Sequence, residues 1–282
     1  MRDGGPRSVD LAGLEVLGIS VGGIETCIEV PSYKLAFDVG RCPRSVIARP
    51  TILFTHAHAD HMGGVVQHTA LRAMRRMEPP TYVVPREDAA AFRDMFEAWR
   101  VLDRSELPHH LVELGPGEEY PLGRGLVAEA FRSPHSAPCQ GYVVWREARR
   151  LRAEFVGLPG DELGRRRRAG EQIERVTRIP ELAFTGDTQI DVLDREPILR
   201  RVRRLILEVT FLDDRVSVAS AREKGHVHLD EVIERAELFE NEAILLTHFS
   251  ARYRAAEVRE ILDRRLPADL RERVTPLLAG LR

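Results

Sequence analysis

Residues 56–61 read His-Ala-His-Ala-Asp-His, so three imidazoles and one carboxylate fall within six positions. Imidazole nitrogen and carboxylate oxygen both bind zinc and related divalent cations well. Alternate side chains of an extended segment point to opposite sides. A tight turn would instead let His56 and His58 converge, with Asp60 and His61 projecting toward a second point. Two such pairs suit two adjacent metal ions better than one. A two-metal site polarises an oxygen, lowers the pKa of a bridging water and clamps the attacking and leaving oxygens of a displacement. A lone histidine in a turn is usually just hydrogen-bonded. This cluster lies between the apolar run Ile52-Leu53-Phe54 and the helix-opening Met62-Gly63-Gly64, a context that favours metal ligation.

The elements that must position these groups can be read from apolar runs of strand length. Besides the run that ends at His56, four others reach a candidate residue: "LVAEAFRSPHS" at His135, "ELAFTGD" at Asp187, "RLILEVTF" at Glu208 and "AILLTHF" at His248. Strands that present such residues just past their ends should converge on one edge of a sheet sandwich. His135, Asp187 and His248 are therefore expected to supply the remaining ligands. His68, His109 and His110 lack this context and read as ordinary surface or core histidines. Helical spacing covers 63–77, 86–103, 228–240 and 252–266, and the N-terminal region is richer in strands.

The chain has 282 residues, 43% hydrophobic and 30% charged, enough for one large layered domain. Its formal charge of −2 supplies no global field toward nucleic acid or membrane, so any such contact needs a local patch. No apolar run approaches the ~18 residues of a membrane span. The first twenty residues lack the pattern of a secretory leader, and a cytoplasmic protein is expected. Cys27, Cys42 and Cys139 are odd in number and show no C-x-x-C spacing, which disfavours a disulfide framework and a thiolate zinc site. Residues 146–178 stand apart, with ten arginines against six acidic residues. The run Arg165, Arg166, Arg167 and Arg168 cannot share one face of an element and is expected to face solvent. It reads either as a charged surface insertion or as an arm that contacts phosphates.

"THAHADHMGG" resembles the signature loop of the metallo-β-lactamase superfamily. That likeness implies an α+β fold, a four-layer αββα sandwich with a dinuclear metal site at one edge. It fixes fold and metal but not substrate. "LEVTFLDD" (207–214), "AREKGHVH" (221–228) and "LLTHFSARY" (245–253) are similar to motifs of ribonuclease Z, the tRNA 3′-processing endonuclease. "ISVGGIETCIEVPS", "FDVGRCP", "GLPGDEL" and "LAFTGDT" extend the match over nearly the whole chain, and the likeness is greatest to the short form found in plants. One departure is visible: the interval 136–186 is short, with the arginine cluster where many bacterial members carry a long Gly/Pro-rich arm.

The resemblance implies that His56, His58 and His135 hold one zinc, that Asp60, His61 and His248 hold the other, and that Asp187 bridges them. Mn2+ or Fe2+ is also compatible. It implies Glu208 and His226 as a proton-delivery pair, with His228 a second choice for the shuttle. Asp60 has a second possible task in orienting the attacking water. Ser250 and Arg252 are candidates to grip phosphate, a salt bridge being the structural alternative for Arg252. The expected partners are precursor tRNA and a second copy in a homodimer, with no membrane. Two other readings compete: a hydrolase of the same fold acting on a small phosphodiester, ester or thioester, and a non-catalytic RNA-binding or scaffolding relative. The first needs a closed pocket and no basic approach surface; the second would be favoured by a missing ligand.

Overall fold

A computed structural model of the chain describes residues 5–282; residues 1–4, the start of the segment expected to lack a leader, lie outside the described residues. Two mixed sheets face each other. The first holds β1 (Arg7–Leu11), β2 (Leu14–Gly22), β3 (Glu25–Val30), β4 (Leu35–Phe37), β5 (Thr51–Leu53), β6 (Thr81–Pro85) and β7 (His110–Leu114) in that order, with the short β14 (Phe249–Ser250) beside β2. The second holds β8 (Glu119–Gly123), β9 (Leu126–Arg132), β10 (Gln140–Leu151), β11 (Glu174–Phe184), β12 (Arg204–Glu208), β13 (Ala243–Thr247) and β15 (Val274–Pro276).

The apolar runs are nearly continuous because the central strands are covered on both faces. In β12, Ile206 joins the core between the sheets, while Leu205 and Leu207 pack under the outer helices. The same alternation places Leu245 inward and Ile244 and Leu246 outward in β13. Helices Val65–Met74 and Ala89–Asp103 contribute Val65, Phe92 and Phe96 to the core that includes the first sheet. Helix Ala255–Arg265 brings Val258, Ile261 and Leu262 to the outer face of the second. These layers bear out the expected αββα sandwich.

The segments expected as helices at 86–103 and 252–266 form at Ala89–Asp103 and Ala255–Arg265. That at 228–240 is shorter, Leu229–Glu234 followed by a 3-10 turn at Ala236–Leu238. Strands β11, β12 and β13 run parallel, as do β4, β5, β6 and β7. Their carboxyl ends therefore collect on one edge, where open sheets of this kind place their sites.

The arginine-rich segment is a β-hairpin. Strands β10 and β11 stay paired from Tyr142 opposite Phe184 to Leu151 opposite Glu174, and the helix Gly160–Arg168 closes the far end. The carboxyl end of β11 leads to Asp187, so the hairpin projects the other way. Ten residue steps from Phe184 to Glu174 span about 33 Å. Arg165–Arg168 thus lie far from the metal loop of their own chain. Nor are all four free in solvent: Arg165 and Arg166 pair with Glu162, Arg167 pairs with Glu174, and the Arg166 guanidinium lies over Phe155. An i, i+3 and i, i+4 helix geometry supplies the acidic partner that the linear run hides.

Candidate metal centre

The histidine loop is a tight turn because the His61 and Met62 amides both donate to the His58 carbonyl. That folds Asp60 and His61 back toward the carboxyl ends of β9, β11 and β13. His135 follows β9, Asp187 follows β11, and His248 follows β13. His248 sits where the chain leaves the second sheet to add β14 to the first, with a left-handed φ of 63°. Asp38, after β4, is also left-handed at 57°. Such backbone in non-glycine residues is costly and concentrates at functional sites.

The donors form two adjoining groups, with Asp187 at their boundary. His56, His58, His135 and Asp187 make one, and Asp60, His61 and His248 make the other. His58 Nδ1 lies 3.4 Å from His135 Nε2, and His61 Nε2 lies 3.4 Å from His248 Nε2. Asp187 Oδ1 is 3.3 Å from His61 Nε2, and Oδ2 is 3.3 Å from His248 Nε2. Ligands about 2.1 Å from a tetrahedral cation stand about 3.4 Å apart, so these spacings fit a metal.

The hydrogen bonds fix which nitrogens are free. Thr55 Oγ1 donates to Asp38 Oδ2 and so accepts from His56 Nδ1 at 3.0 Å. Asp38 Oδ2 accepts from His61 Nδ1 at 2.8 Å. Gly225 O accepts from His135 Nδ1 at 2.9 Å. Thr210 Oγ1 donates to Glu208 Oε2 and accepts from His248 Nδ1 at 2.8 Å. Each of these rings thus commits Nδ1 to a neighbour and turns Nε2 inward, the arrangement that orients metal-binding histidines. His56 Nε2 is buried with no hydrogen-bond partner at all, which a metal would satisfy. Gly225 is required at φ 78°: a Cβ there would stand 2.7 Å from His135 Nδ1.

Burial pushes the His56 pKa down, and neighbouring His61 adds to that, so the ring stays neutral and ready to ligate. Burial alone would raise the Asp187 carboxyl, but the His248 and His61 rings hold it well below the carboxylate range. Burial likewise opposes ionisation of Asp60, and the His248 ring, with Nε2 3.6 Å from Oδ2, outweighs it together with His61, so its pKa is lowered. Asp60 Oδ2 also accepts the Gly23 amide at 2.8 Å. Burial opposes protonation of His61, but Asp187 and Asp38 raise its pKa, so a cation bound at its Nε2 would displace a proton.

Beside this cluster, His226 donates from Nδ1 to Glu208 Oε1 at 2.8 Å. Glu208 is fully satisfied: Oε1 also accepts the Thr188 and Val227 amides, and Oε2 accepts the amide and hydroxyl of Thr210. Burial works against protonation of His226, yet the adjacent Glu208 charge raises its pKa to about 9. The ring is half-buried and lies within ligand reach of Asp187 and His248.

His228 caps the helix Leu229–Glu234, accepting the Asp230 amide, and its Nε2 faces the Asp213 carbonyl. That use removes it from the shuttle role. His68 is a core residue bonded to Tyr82, at 2.8 Å. Ser250 is half-buried beside β2. Arg252 is exposed over the Phe211 ring and forms no salt bridge among the described residues. The sequence reading missed Asp38, Thr55 and Thr210. Asp38 and Thr55 together orient His61 and His56, and Glu208 and Thr210 orient His226 and His248. The only signal was position: Asp38 ends the apolar run of β4 as Glu208 ends that of β12.

Residues 40–249 match the family model described as Beta-lactamase superfamily domain. With its two stacked sheets and edge cluster, the chain has the metallo-β-lactamase fold. Solved structures agree in fold: the metallo-β-lactamase fold protein YhfI of Bacillus subtilis (TM-score 0.61, 13% identity, 93% of this chain and 95% of that one) and the short form of human tRNase Z (TM-score 0.53, 20% identity, 88% and 92%). Among curated proteins, tRNase Z TRZ1 of Arabidopsis thaliana is 41% identical over 276 residues, covering 97% of this chain and 98% of its own. The chloroplastic tRNase Z TRZ2 of the same plant is 37% identical over 98% of this chain and 78% of its own. The chain belongs to the tRNase Z family.

Proposed function

We propose that the chain is a metal-dependent endoribonuclease that removes the 3′ trailer of precursor tRNA. The observation that carries this beyond kinship is a solvent-facing cluster of metal-binding side chains with the His226–Glu208 pair beside it. His58 is exposed and His135 half-buried, so the ligand cluster faces solvent, as a macromolecular phosphodiester requires. His56, His58, His135 and Asp187 would hold one ion and Asp60, His61, His248 and Asp187 the other, with zinc the expected metal. Two bound cations would supply Lewis-acid polarisation of the phosphate and a water of lowered pKa. Asp60, whose carboxylate is held by the Gly23 amide, would orient that water. His226, its pKa raised by Glu208, would give its Nε2 proton to the leaving 3′-oxygen of the ribose. The products are a tRNA with a 3′-hydroxyl and a trailer with a 5′-phosphate. End-group analysis tests this: a 2′,3′-cyclic phosphate on the tRNA would point to attack by the ribose 2′-hydroxyl and refute the water mechanism.

Glu208→Gln isolates the carboxylate's effect on the acid. His226 must be protonated to act, so the rate falls as pH rises through its pKa. Loss of the Glu208 charge should move that alkaline limb down by about 1 unit or more. A pH–rate profile of both metal-loaded proteins checks this, and an unmoved limb would separate Glu208 from proton delivery.

We read the chain as one domain whose hairpin touches the body of the tRNA. Arg149, Arg150, Arg168 and Arg175 are exposed and free of acidic partners among the described residues, and Arg150 stands directly opposite Arg175. Like charges so placed repel. An RNA phosphate between them relieves this. Changing Arg150 and Arg175 to Ser should weaken tRNA binding and flatten its salt slope by about 1–2 phosphate equivalents. The same change at the paired Arg165 and Arg166 should do less; the reverse order would reject this assignment. For the expected homodimer, exposed Trp99, Val101 and Leu102 offer a face for a second copy. Light scattering should give twice the 31.9 kDa chain mass, and a monomer mass would reject it. No helix among the described residues is long and apolar enough to cross a membrane.

A further inference from the structure

At the edge opposite the metal cluster lies an open cavity of about 420 Å³. It is bounded by the amino ends of β2, β9 and β12, the base of the hairpin and the 3-10 turn Pro31–Tyr33. Its charged lining is Arg124, Arg146, Arg203 and Arg204 against the single carboxylate of Glu181. Glu181 is shared, accepting Arg146 Nε at 2.9 Å and Arg204 Nη1 at 2.8 Å. Arg204 is buried and spent, its remaining donors lying on the Leu11 and Ala12 carbonyls. Arg203 pairs outward with Glu242 at 2.6 Å.

Arg124 differs from the other three. It is exposed and makes no ion pair among the described residues. It stands in a turn of three successive left-handed residues, Gly123 (φ 80°), Arg124 (54°) and Gly125 (71°). The glycines adopt this freely, but the arginine does so at a cost. The turn thus holds an unneutralised guanidinium at the mouth of a cavity that already has more cations than anions. The exposed hydroxyl of Ser32 and the Tyr33 phenol, 3.5 Å from Arg146 Nη2, add polar groups to the wall.

We propose that this cavity is a binding site for a small phosphate-bearing anion, separate from the metal centre. Guanidinium groups bind phosphate oxygens in forked, charge-assisted pairs; Arg124 has all its donors unspent, and Arg146 and Arg203 keep some beside their carboxylate partners. The four residue steps from Arg204 to Glu208, about 13 Å of strand, separate the cavity from the metal edge. A phosphate bound here cannot be the one being cleaved. The cavity's size suits a free phosphate or the phosphate of a mononucleotide.

The test is calorimetric titration of the full metal-loaded protein with inorganic phosphate and, separately, AMP. Wild type is compared with Arg124→Ser and with Arg203→Ser, and hydrolysis of bis(p-nitrophenyl) phosphate reports the metal edge. The proposal expects R124S to weaken anion binding roughly tenfold, the effect of one charged hydrogen bond, while hydrolysis and its inhibition by phosphate stay unchanged. R203S should show a smaller loss. Tighter binding of AMP than of phosphate would identify a nucleotide site; equal binding would identify free phosphate. The proposal is overturned if neither anion binds at 10 mM, on the order of the weakest useful affinity. It is also overturned if R124S leaves binding intact, since the anion then sits at the metals. With precursor tRNA titrated alongside, a loss in R124S confined to the tRNA would make this an RNA contact and likewise overturn it.

Discussion

Replacing His226 with alanine is expected to lower the cleavage rate by about 100-fold or more while metal content stays near normal. The expectation rests on how the ring is held. Its Nδ1 is committed to Glu208, whose other oxygen reaches Thr210 and, through it, His248. His226 therefore faces the cluster with one free nitrogen, but each proposed metal sphere already has its donors without it. An alkoxide leaves poorly, so a missing proton donor should depress kcat far more than substrate affinity. Metal analysis alongside single-turnover cleavage checks both halves. If zinc departs with the imidazole, His226 is a ligand.

Asp187→Ala should have the larger effect, on the order of 1000-fold or more in rate, with metal content reduced. Its carboxylate belongs to the first donor group and stands within 3.3 Å of two rings of the second, so it is the proposed bridge. It is buried and has imidazole nitrogens of His61 and His248 at 3.3 Å and of His56 at 3.8 Å. Removing it leaves five imidazole rings and Asp60 to hold any cation. Loss of one preorganised charge-stabilising group alone costs about 100- to 1000-fold, and here two ions lose a ligand. The change should also destabilise the chain less in its metal-free form than in its metal-loaded form, because binding stabilises only the folded state. Thermal melts with and without chelator show this as a smaller gap between the two curves than in wild type. Full metal occupancy in D187A would remove Asp187 from the bridge.

The ligand cluster was legible in the sequence because each member follows an apolar strand, and parallel strands end together. His56, Asp187 and His248 are buried at one edge for that reason alone. The fold was legible for the same reason, supported by family resemblance. What could not be read was the layer behind the ligands. Asp38, Thr55 and Thr210 look in sequence like ordinary residues at strand ends, and only the folded edge shows them fixing the ring tautomers. The left-handed backbone of Asp38 and His248 carries no sequence mark either, since neither is glycine. The arginine run misled in a different way. Its charge was counted along the chain, whereas helix geometry brings Glu162 under Arg165 and Arg166, and strand direction carries all four arginines away from the metals.

The most direct measurement is to incubate purified, zinc-loaded protein with a precursor tRNA carrying a 3′ trailer and to map the cut. One cut near the discriminator base, abolished by a chelator and restored by zinc, is the predicted result. Intact precursor, together with hydrolysis of a small phosphodiester or thioester by the same preparation, would contradict it and assign the metal edge to a small substrate.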